Sequence, residues 1–162
     1  MPGSGKSTLG IVLAKLLGFG FLDTDILIQI NEQKTLQNII DDASHAHLLQ
    51  VEEDAIVKIN IERNVIATGG SAAYSQIAMG HLKSISTVVF LKVEFEEVKR
   101  RIRNFETRGI AKRPEQNFHD LFLERQVLYE RYADITIDCT SITQDQGAQE
   151  VASLLKVNGK CN

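Results

Sequence analysis

Met1-Pro-Gly-Ser-Gly-Lys-Ser-Thr8 is the stretch that decides the fold of this chain. It matches the second half of a phosphate-binding P-loop, G-x-x-x-x-G-K-[ST], and an apolar helical spacing follows it until Gly18. Gly3 and Gly5 allow the backbone to turn its N–H groups inward, where the dipole of the following helix adds positive potential. The stretch therefore predicts a nucleotide phosphate site rather than a flexible tail.

The motif assigns a role to individual side chains in this loop. Lys6 is predicted to reach the β- and γ-phosphates of ATP, and the hydroxyl of Ser7 is predicted to bind Mg²⁺. The full set of predicted nucleotide-binding residues in the loop is Gly3, Ser4, Gly5, Lys6, Ser7 and Thr8.

Length, charge and cysteine content narrow the function classes. The chain has 162 residues and a net charge of −3, which predicts a single domain spanning residues 1–162. Its one basic cluster, Lys99 to Arg103, has no interleaved aromatic residues, and Cys139 and Cys161 are too few for a disulfide framework. No apolar run approaches the roughly 18 residues of a membrane span. We therefore expect a cytoplasmic protein that binds neither nucleic acid nor membrane.

Two segments place candidate ligand groups at the ends of predicted strands. The stretch from Phe19 predicts a short buried strand that ends in Asp23 and Asp25, and the stretch from Asn64 predicts a strand that runs into Gly69-Gly70. Ligands of parallel α/β sheets bind beyond the carboxyl ends of the strands, which favours a functional role for both acids. One acid could instead cap the next helix, and the glycines could form only a tight connection.

The rest of the chain alternates between helical and strand patterns. Residues 26–60 are predicted to be helical, with a break near Lys34 and Thr35 as the N-cap of the next helix. Helices are expected at about 75–85, 94–105 and 118–133 and at the end of the chain, with strands at 87–91 and 135–138. This alternation predicts a parallel α/β sheet. The loop at about 106–117 carries three cations and is either an exposed connection or, as the P-loop favours, a mobile lid.

Five segments in a fixed order give the chain a resemblance to the shikimate kinase family. They are Gly3-Ser-Gly-Lys-Ser-Thr8, Leu22-Asp-Thr-Asp25, Ala67-Thr-Gly-Gly70, Lys112-Arg-Pro114, and Glu124-Arg-Gln-Val-Leu-Tyr129 followed by Ala133-Asp134. The resemblance implies a P-loop kinase fold of three αβα layers with a parallel sheet in the order 2-3-1-4-5. It also implies ATP and Mg²⁺ as cofactors, a monomer, and an acceptor-binding helical segment at about 26–60.

The resemblance also implies roles for residues outside the P-loop. Asp23 would join Ser7 in holding Mg²⁺, and Asp25 would orient or deprotonate the attacking hydroxyl group of the substrate. Arg113 in the lid would bind ATP and neutralise charge on the transferred phosphoryl group, with Arg108 as a rival for that position. The implied acceptor-binding residues are Asp25, Gly69, Gly70 and Arg125.

Three positions depart from the pattern of the family. Leu49 stands where a second carboxylate-binding arginine is expected, and a charge-assisted hydrogen bond contributes about 1.5–3 kcal/mol. Ser71 stands where the family has a third glycine. The first glycine of the P-loop motif and the strand before it would precede Met1, so we expect Met1 to be a loop methionine of a longer natural chain.

Together these patterns predict an ATP-dependent kinase for a hydroxyl group of a small anionic metabolite. Shikimate, converted to shikimate 3-phosphate, is the expected acceptor. Leu49 leaves open a kinase for another metabolite such as a sugar acid. The short N-terminus and Leu49 leave open a nucleotide-binding module without turnover.

Overall fold

The computed structural model describes residues 1–102 and 115–157 of the chain. Four short strands lie in this part: β1 (Gly20–Asp23), β2 (Asn64–Ala67), β3 (Val89–Lys92) and β4 (Ile135–Asp138). The helices are α1 (Lys6–Leu17), α2 (Thr24–Glu32), α3 (Leu36–Asp42), α4 (His45–Ile56), α5 (Gln76–Ile85), α6 (Phe95–Arg101), α7 (Phe118–Tyr132) and α8 (Gln144–Val157), with a 3₁₀ turn at Ala72–Tyr74. The predicted alternation of helices and strands is confirmed.

Short polar side chains determine where several helices begin. The hydroxyl of Thr35 accepts a hydrogen bond from the backbone N–H of Asn38, which confirms Thr35 as the predicted N-cap of α3. Ser75 caps α5 in the same way, with a bond from the N–H of Ala78. Such caps stabilise a helix by about 1 kcal/mol each, because they satisfy a backbone N–H that has no partner within the helix.

The strands form two parallel pairs. β1 pairs with β2 so that Asp23 lies opposite Ala67, and β3 pairs with β4 so that Lys92 lies opposite Asp138. In both pairs the carboxyl ends lie at the same edge, as a parallel α/β sheet requires. The predicted parallel pairing is confirmed.

A gap separates the two pairs of strands. A cavity of about 660 Å³ is lined by β2 and β3 on its sides and by apolar residues of α1 and α8, among them Leu9 and Val151. The order 2-3-1-4-5 of the family places its first strand at this position, between the counterparts of β2 and β3.

The main core lies between α1, the strand pair β3–β4 and helices α6 to α8. Its members include Leu13, Val98, Leu121 and Ile137, which are 0 to 6% exposed. A separate apolar cluster joins α2, α3 and α4 around Ile28. This second cluster holds the helical segment 26–60 beside the carboxyl end of β1.

Some predicted boundaries and faces were wrong. The apolar spacing that follows the P-loop places Leu16 on the apolar face of α1, but Leu16 is exposed, because the buried stripe of that helix includes the small residues Gly10 and Ala14 instead. A Cβ atom on Gly10 would collide with Phe21, so β1 packs directly against the helix backbone there. Helix α6 ends at Arg101 rather than near residue 105, because Ile102 has an extended backbone.

Candidate active site

The P-loop has positive φ angles at its two glycines. Gly3 and Gly5 have φ angles of 77° and 90°, which lie in the left-handed region that favours glycine. A Cβ atom on Gly5 would also collide with the side chain of Gln144. The buried hydroxyl of Ser4 donates to the backbone oxygen of Met1 at 2.9 Å and so fixes the loop from inside. The loop therefore forms a concave surface at the N-terminus of α1.

The side chains at the start of α1 are arranged around this surface. The Lys6 ammonium donates to the backbone oxygen of Met1 at 3.0 Å, which folds the side chain back over the loop. The Ser7 hydroxyl donates to Oδ2 of Asp23 at 2.6 Å. Ser7 and Asp23, the two residues predicted to hold Mg²⁺, are thus brought together from α1 and the end of β1.

These two oxygen groups suit a Mg²⁺ ion that is bound together with substrate phosphates. They are too few for a metal ion whose ligands all come from the protein. Mg²⁺ prefers oxygen ligands, keeps several waters, and is commonly bound by one or two protein groups together with substrate phosphates. Across residues 1–102 and 115–157, no group of three or more His, Cys, Asp or Glu side chains forms a closed metal site. The hydroxyl of Ser7 and the carboxylate of Asp23 therefore suit a metal that arrives with a nucleotide.

The structure distinguishes the two acids at the end of β1. Asp23 is the N-cap of α2, where its Oδ1 accepts from the backbone N–H of Asp25 at 3.0 Å, so the capping interpretation is confirmed for Asp23. Asp25 belongs to the first turn of α2 rather than to the strand, and it lines the cavity beside the P-loop. Asp23 therefore has both a structural contact and a contact with Ser7.

One cavity of about 230 Å³ brings most of the predicted site residues together. The predicted residues that line it are Gly3, Gly5, Lys6, Ser7, Thr8, Asp25, Gly69, Gly70 and Arg125. Ser4 is buried below the loop, and Asp23 is joined to the cavity through Ser7. Arg113, its rival Arg108 and most of the predicted lid at 106–117 lie outside the described residues.

The two glycines after β2 are closely approached by side chains of the chain itself. The backbone N–H of Gly69 donates to the buried hydroxyl of Thr24 at 3.1 Å. A Cβ atom on Gly69 would meet the carboxyl groups of Glu52 and Asp25, and one on Gly70 would lie 2.8 Å from Nη1 of Arg125. A larger residue would therefore not fit at either position. The side chains that occupy this space come from Glu52, Asp25 and Arg125.

Arg125 is a buried cation at the acceptor end of the cavity. It is 1% exposed, and its guanidinium group lies 5.5 Å from the centre of the Tyr74 ring. Beside it, the hydroxyl of Tyr129 donates to the backbone oxygen of Gly70 at 2.7 Å, and burial raises the pKa of Tyr129 to about 12. This tyrosine is thus a neutral donor that holds the glycine turn in place.

Glu52 is the buried acid of this region. It is 3% exposed, and burial raises its pKa to about 7, with a further increase from the nearby charge of Asp25. The hydroxyl of Ser71 and the positive charges of Arg125 and Lys6 act in the opposite direction. Near neutral pH this carboxyl group is therefore present in both the protonated and the ionised form.

Comparison with known proteins identifies the family of the chain. The family model described as shikimate kinase matches residues 2–156, which is nearly the whole chain. The chain belongs to the shikimate kinase family. The resemblance derived from the five sequence segments is thereby confirmed.

Individual relatives agree with the family match. The chain is 33% identical to the shikimate kinase of Sulfurihydrogenibium sp. (strain YO3AOP1) over 155 residues, which covers 95% of this chain and 93% of the relative. Among solved structures, shikimate kinase from Acinetobacter baumannii in complex with shikimate is similar, with a TM-score of 0.87, 29% identity, and coverage of 97% of this chain and 89% of that one. Shikimate kinase from Aquifex aeolicus has a TM-score of 0.78, also with 29% identity, and covers 98% and 94% of the two chains.

Two of the three departures from the pattern of the shikimate kinase family can be described in structural terms. Leu49 is half-buried and packs against the apolar cluster around Ile28, so its side chain contributes to the core of the helical segment. Ser71 has a φ of −91°, an ordinary value for any residue, which explains why glycine is not needed at that position.

Sequence reasoning did not include every residue of the cavity. Arg101, Glu52 and Thr24 contribute to it or to its support but were not among the predicted site residues. For Glu52 a signal was present, since it belongs to the segment in which Leu49 replaces the family arginine. For Thr24 the relevant contact is with Gly69, 45 residues away, and no local pattern indicates it.

Proposed function

We propose that this protein is an ATP- and Mg²⁺-dependent kinase that phosphorylates a hydroxyl group of shikimate to give shikimate 3-phosphate. The family match and the similarity to a shikimate kinase that binds shikimate support this acceptor. The observation that carries the proposal is one cavity lined by a P-loop lysine, an acid in the first turn of α2 and a buried arginine, namely Lys6, Asp25 and Arg125.

The phosphate end of the cavity would bind and orient the nucleotide. Backbone N–H groups of the loop between Gly3 and Thr8 surround the β- and γ-phosphates, and Lys6 turns from the Met1 oxygen toward the transferred group. Ser7 and Asp23 would hold Mg²⁺, which supplies charge neutralisation of the phosphate oxygens when it is bound. Positive charge fixed before the reaction stabilises the transition state without reorganisation.

The acceptor end would position the attacking hydroxyl group. Arg125 and the N–H groups of the glycine turn bind the carboxylate and neighbouring oxygens of the acceptor. Asp25, which lines the same cavity, accepts a hydrogen bond from the attacking hydroxyl and takes its proton as the new O–P bond forms. The bond from the γ-phosphorus to the β–γ bridging oxygen breaks in the same step, and ADP leaves. The carboxylate of Asp25 thus does the work of a general base.

A kinase for a different acceptor is the second candidate, because one observation favours it. Leu49 replaces the second carboxylate-binding arginine of the family and lies in an apolar cluster. An acceptor such as a sugar acid, whose carboxylate is bound by one arginine, would fit this change. Arg125 favours an acidic acceptor in either case.

ATP consumption measured against a panel of hydroxylated acids distinguishes these functions. We expect turnover with shikimate and little with sugar acids. Turnover only with a sugar acid would replace the proposed acceptor, and nucleotide binding without any turnover would indicate a module without catalysis.

The remaining predictions concern assembly and location. That the protein acts as a cytoplasmic monomer, without nucleic acid or membrane partners, stays a prediction. Within the described ranges, no helix is both long enough and apolar enough to cross a membrane.

A further inference from the structure

The turn Gly69-Gly70 lies beside both side chains that the proposed reaction uses at the acceptor end of the cavity. A Cβ atom on Gly69 would lie 2.7 Å from Oδ1 of Asp25, and one on Gly70 would lie 2.8 Å from Nη1 of Arg125. The two side chains belong to different helices, α2 and α7. The turn is therefore a backbone segment that adjoins both the proposed base and the proposed carboxylate-binding cation.

Thr24 joins the turn to α2, the helix of Asp25. The backbone N–H of Gly69 donates to Oγ1 of Thr24 at 3.1 Å. Because Thr24 is 0% exposed, its hydroxyl group acts on the cavity through the backbone that it binds and not through contact with a ligand. Thr24 directly precedes Asp25 in α2, so this bond fixes the distance between the turn and the start of the helix that carries the base.

Tyr129 joins the turn to α7, the helix of Arg125. Its hydroxyl group donates to the backbone oxygen of Gly70 at 2.7 Å. Residues 125 and 129 are four positions apart on α7 and so lie on the same face of that helix. The Tyr129 ring also packs against Phe90 of β3, with 5.3 Å between the ring centres. Tyr129 therefore has a fixed position in the core, from which it holds the turn beside Arg125.

These two hydrogen bonds connect groups that must act on one small molecule. The proposed acceptor presents its hydroxyl group to Asp25 and its carboxylate to Arg125, so the spacing between these side chains must match the acceptor. A reacting group displaced by about 1 Å can lower the rate about 100-fold. A turn of two glycines has little stiffness of its own, because glycine allows many backbone conformations. The bonds to Thr24 and Tyr129 supply the stiffness that the glycines lack.

We propose that Thr24 and Tyr129 are positioning residues for the acceptor. By holding the turn between them, they keep Asp25 and Arg125 at the spacing that the acceptor requires. This inference rests on the proposed function. Neither Thr24 nor Tyr129 touches the acceptor, because each acts through the backbone of the turn. Their loss therefore impairs use of the acceptor and leaves nucleotide binding unchanged.

Steady-state kinetics of two variants that each lack one of these hydrogen bonds test the proposal. Thr24→Val replaces the hydroxyl group with a methyl group of similar size, and Tyr129→Phe removes one oxygen atom and keeps the ring. We expect each variant to lower kcat/KM for shikimate at saturating ATP by about 5- to 30-fold, the effect of losing one buried hydrogen bond. The Kd for ATP should stay within about twofold of the wild-type value.

Three control variants separate positioning from a general loss of stability. Thr24→Ser keeps the hydroxyl group, and its kcat/KM for shikimate should stay within about threefold of the wild-type value. Thr136→Val, at an exposed site of β4, and Tyr132→Phe, on α7, make the same chemical changes at residues that do not hold the turn, and they should behave as wild type. All variants are assayed at a temperature at which circular dichroism shows them to be folded, so a lower Tm alone does not change the result.

The double variant Thr24→Val/Tyr129→Phe tests whether the two residues act through the same turn. Two bonds that hold one short segment are coupled, because loss of either one already frees the segment. The fold-loss of kcat/KM in the double variant should therefore be smaller than the product of the two single losses. A loss equal to that product would overturn the shared mechanism.

Further results would overturn the inference while leaving shikimate as the acceptor. They are an unchanged kcat/KM for shikimate in Tyr129→Phe, an equal weakening of ATP binding, and equal losses in Thr24→Ser and Thr24→Val. Tyr129→Phe changes a single atom, so it remains a test even if Thr24→Val does not fold. Absence of shikimate turnover by the wild-type protein would overturn both this inference and the proposed acceptor.

Discussion

The phosphate end and the acceptor end of the cavity differ in how their polar groups are satisfied. At the phosphate end, Ser4, Lys6 and Ser7 donate to a backbone oxygen or to Asp23, so the loop is held ready. At the acceptor end, Glu52 is buried without a well-formed hydrogen bond, and Leu49 offers it no charge. Among the described residues, the polar side chains at the phosphate end thus have partners within the protein, whereas the acceptor end contains a buried acid without a well-formed hydrogen bond.

Replacing the lysine at the phosphate end should have a larger effect than the substitutions of Arg125 and Leu49 described next. We expect Lys6→Ala to lower kcat by about 100- to 1,000-fold, because it removes a positive group that is fixed beside the transferred phosphoryl. The Kd for shikimate, measured without nucleotide, should stay unchanged. Lys15→Ala, on an exposed part of α1, is the matched control. Unchanged kcat in Lys6→Ala would contradict the assignment of the P-loop.

A charge-preserving substitution at the acceptor end should act on binding instead. Arg125→Lys keeps a cation but loses the planar fork that binds two oxygens, so KM for shikimate should rise by about 10- to 100-fold. KM for ATP should change little, and Arg131→Lys at an exposed site of the same helix should behave as wild type. An equal effect on both KM values would show that the two ends of the cavity are not separate.

Restoring the missing arginine should have a smaller and opposite effect. We expect Leu49→Arg to lower KM for shikimate by about tenfold at neutral pH, less than the full value of a charge-assisted hydrogen bond because apolar contacts are lost. Gln50→Arg, which adds the same charge on the exposed face of α4, provides the control. A rise in KM would mean that the pocket of this chain has adapted to a different acceptor.

Features that depend on local spacing could be predicted from the sequence, whereas features that depend on tertiary packing could not. The P-loop, the parallel strands and the cap at Thr35 follow from local spacing, and all of them are present in the structure. The exposure of Leu16 could not be predicted, because the packing of β1 on Gly10 shifts the buried face of α1.

The acceptor site was less accessible to sequence reasoning. Its members Asp25, Gly70 and Arg125 were expected from the resemblance, and the structure places them in one cavity. Their supporting contacts join residues far apart in the chain, such as Tyr129 and Gly70, and only tertiary structure reveals them. Glu52 likewise interacts electrostatically with Lys6 of α1, Asp25 of α2 and Arg125 of α7, which are distant from it in the sequence.

The most direct test of the central claim is phosphoryl transfer to shikimate, followed by detection of shikimate 3-phosphate, in the wild type and in Asp25→Asn. The wild-type protein should form the product, and Asp25→Asn should lower kcat by about 100- to 10,000-fold while Kd for ATP stays the same. Asp41→Asn, an exposed acid on α3, should leave kcat unchanged. Undiminished product formation by Asp25→Asn would contradict the account of how this cavity activates its acceptor.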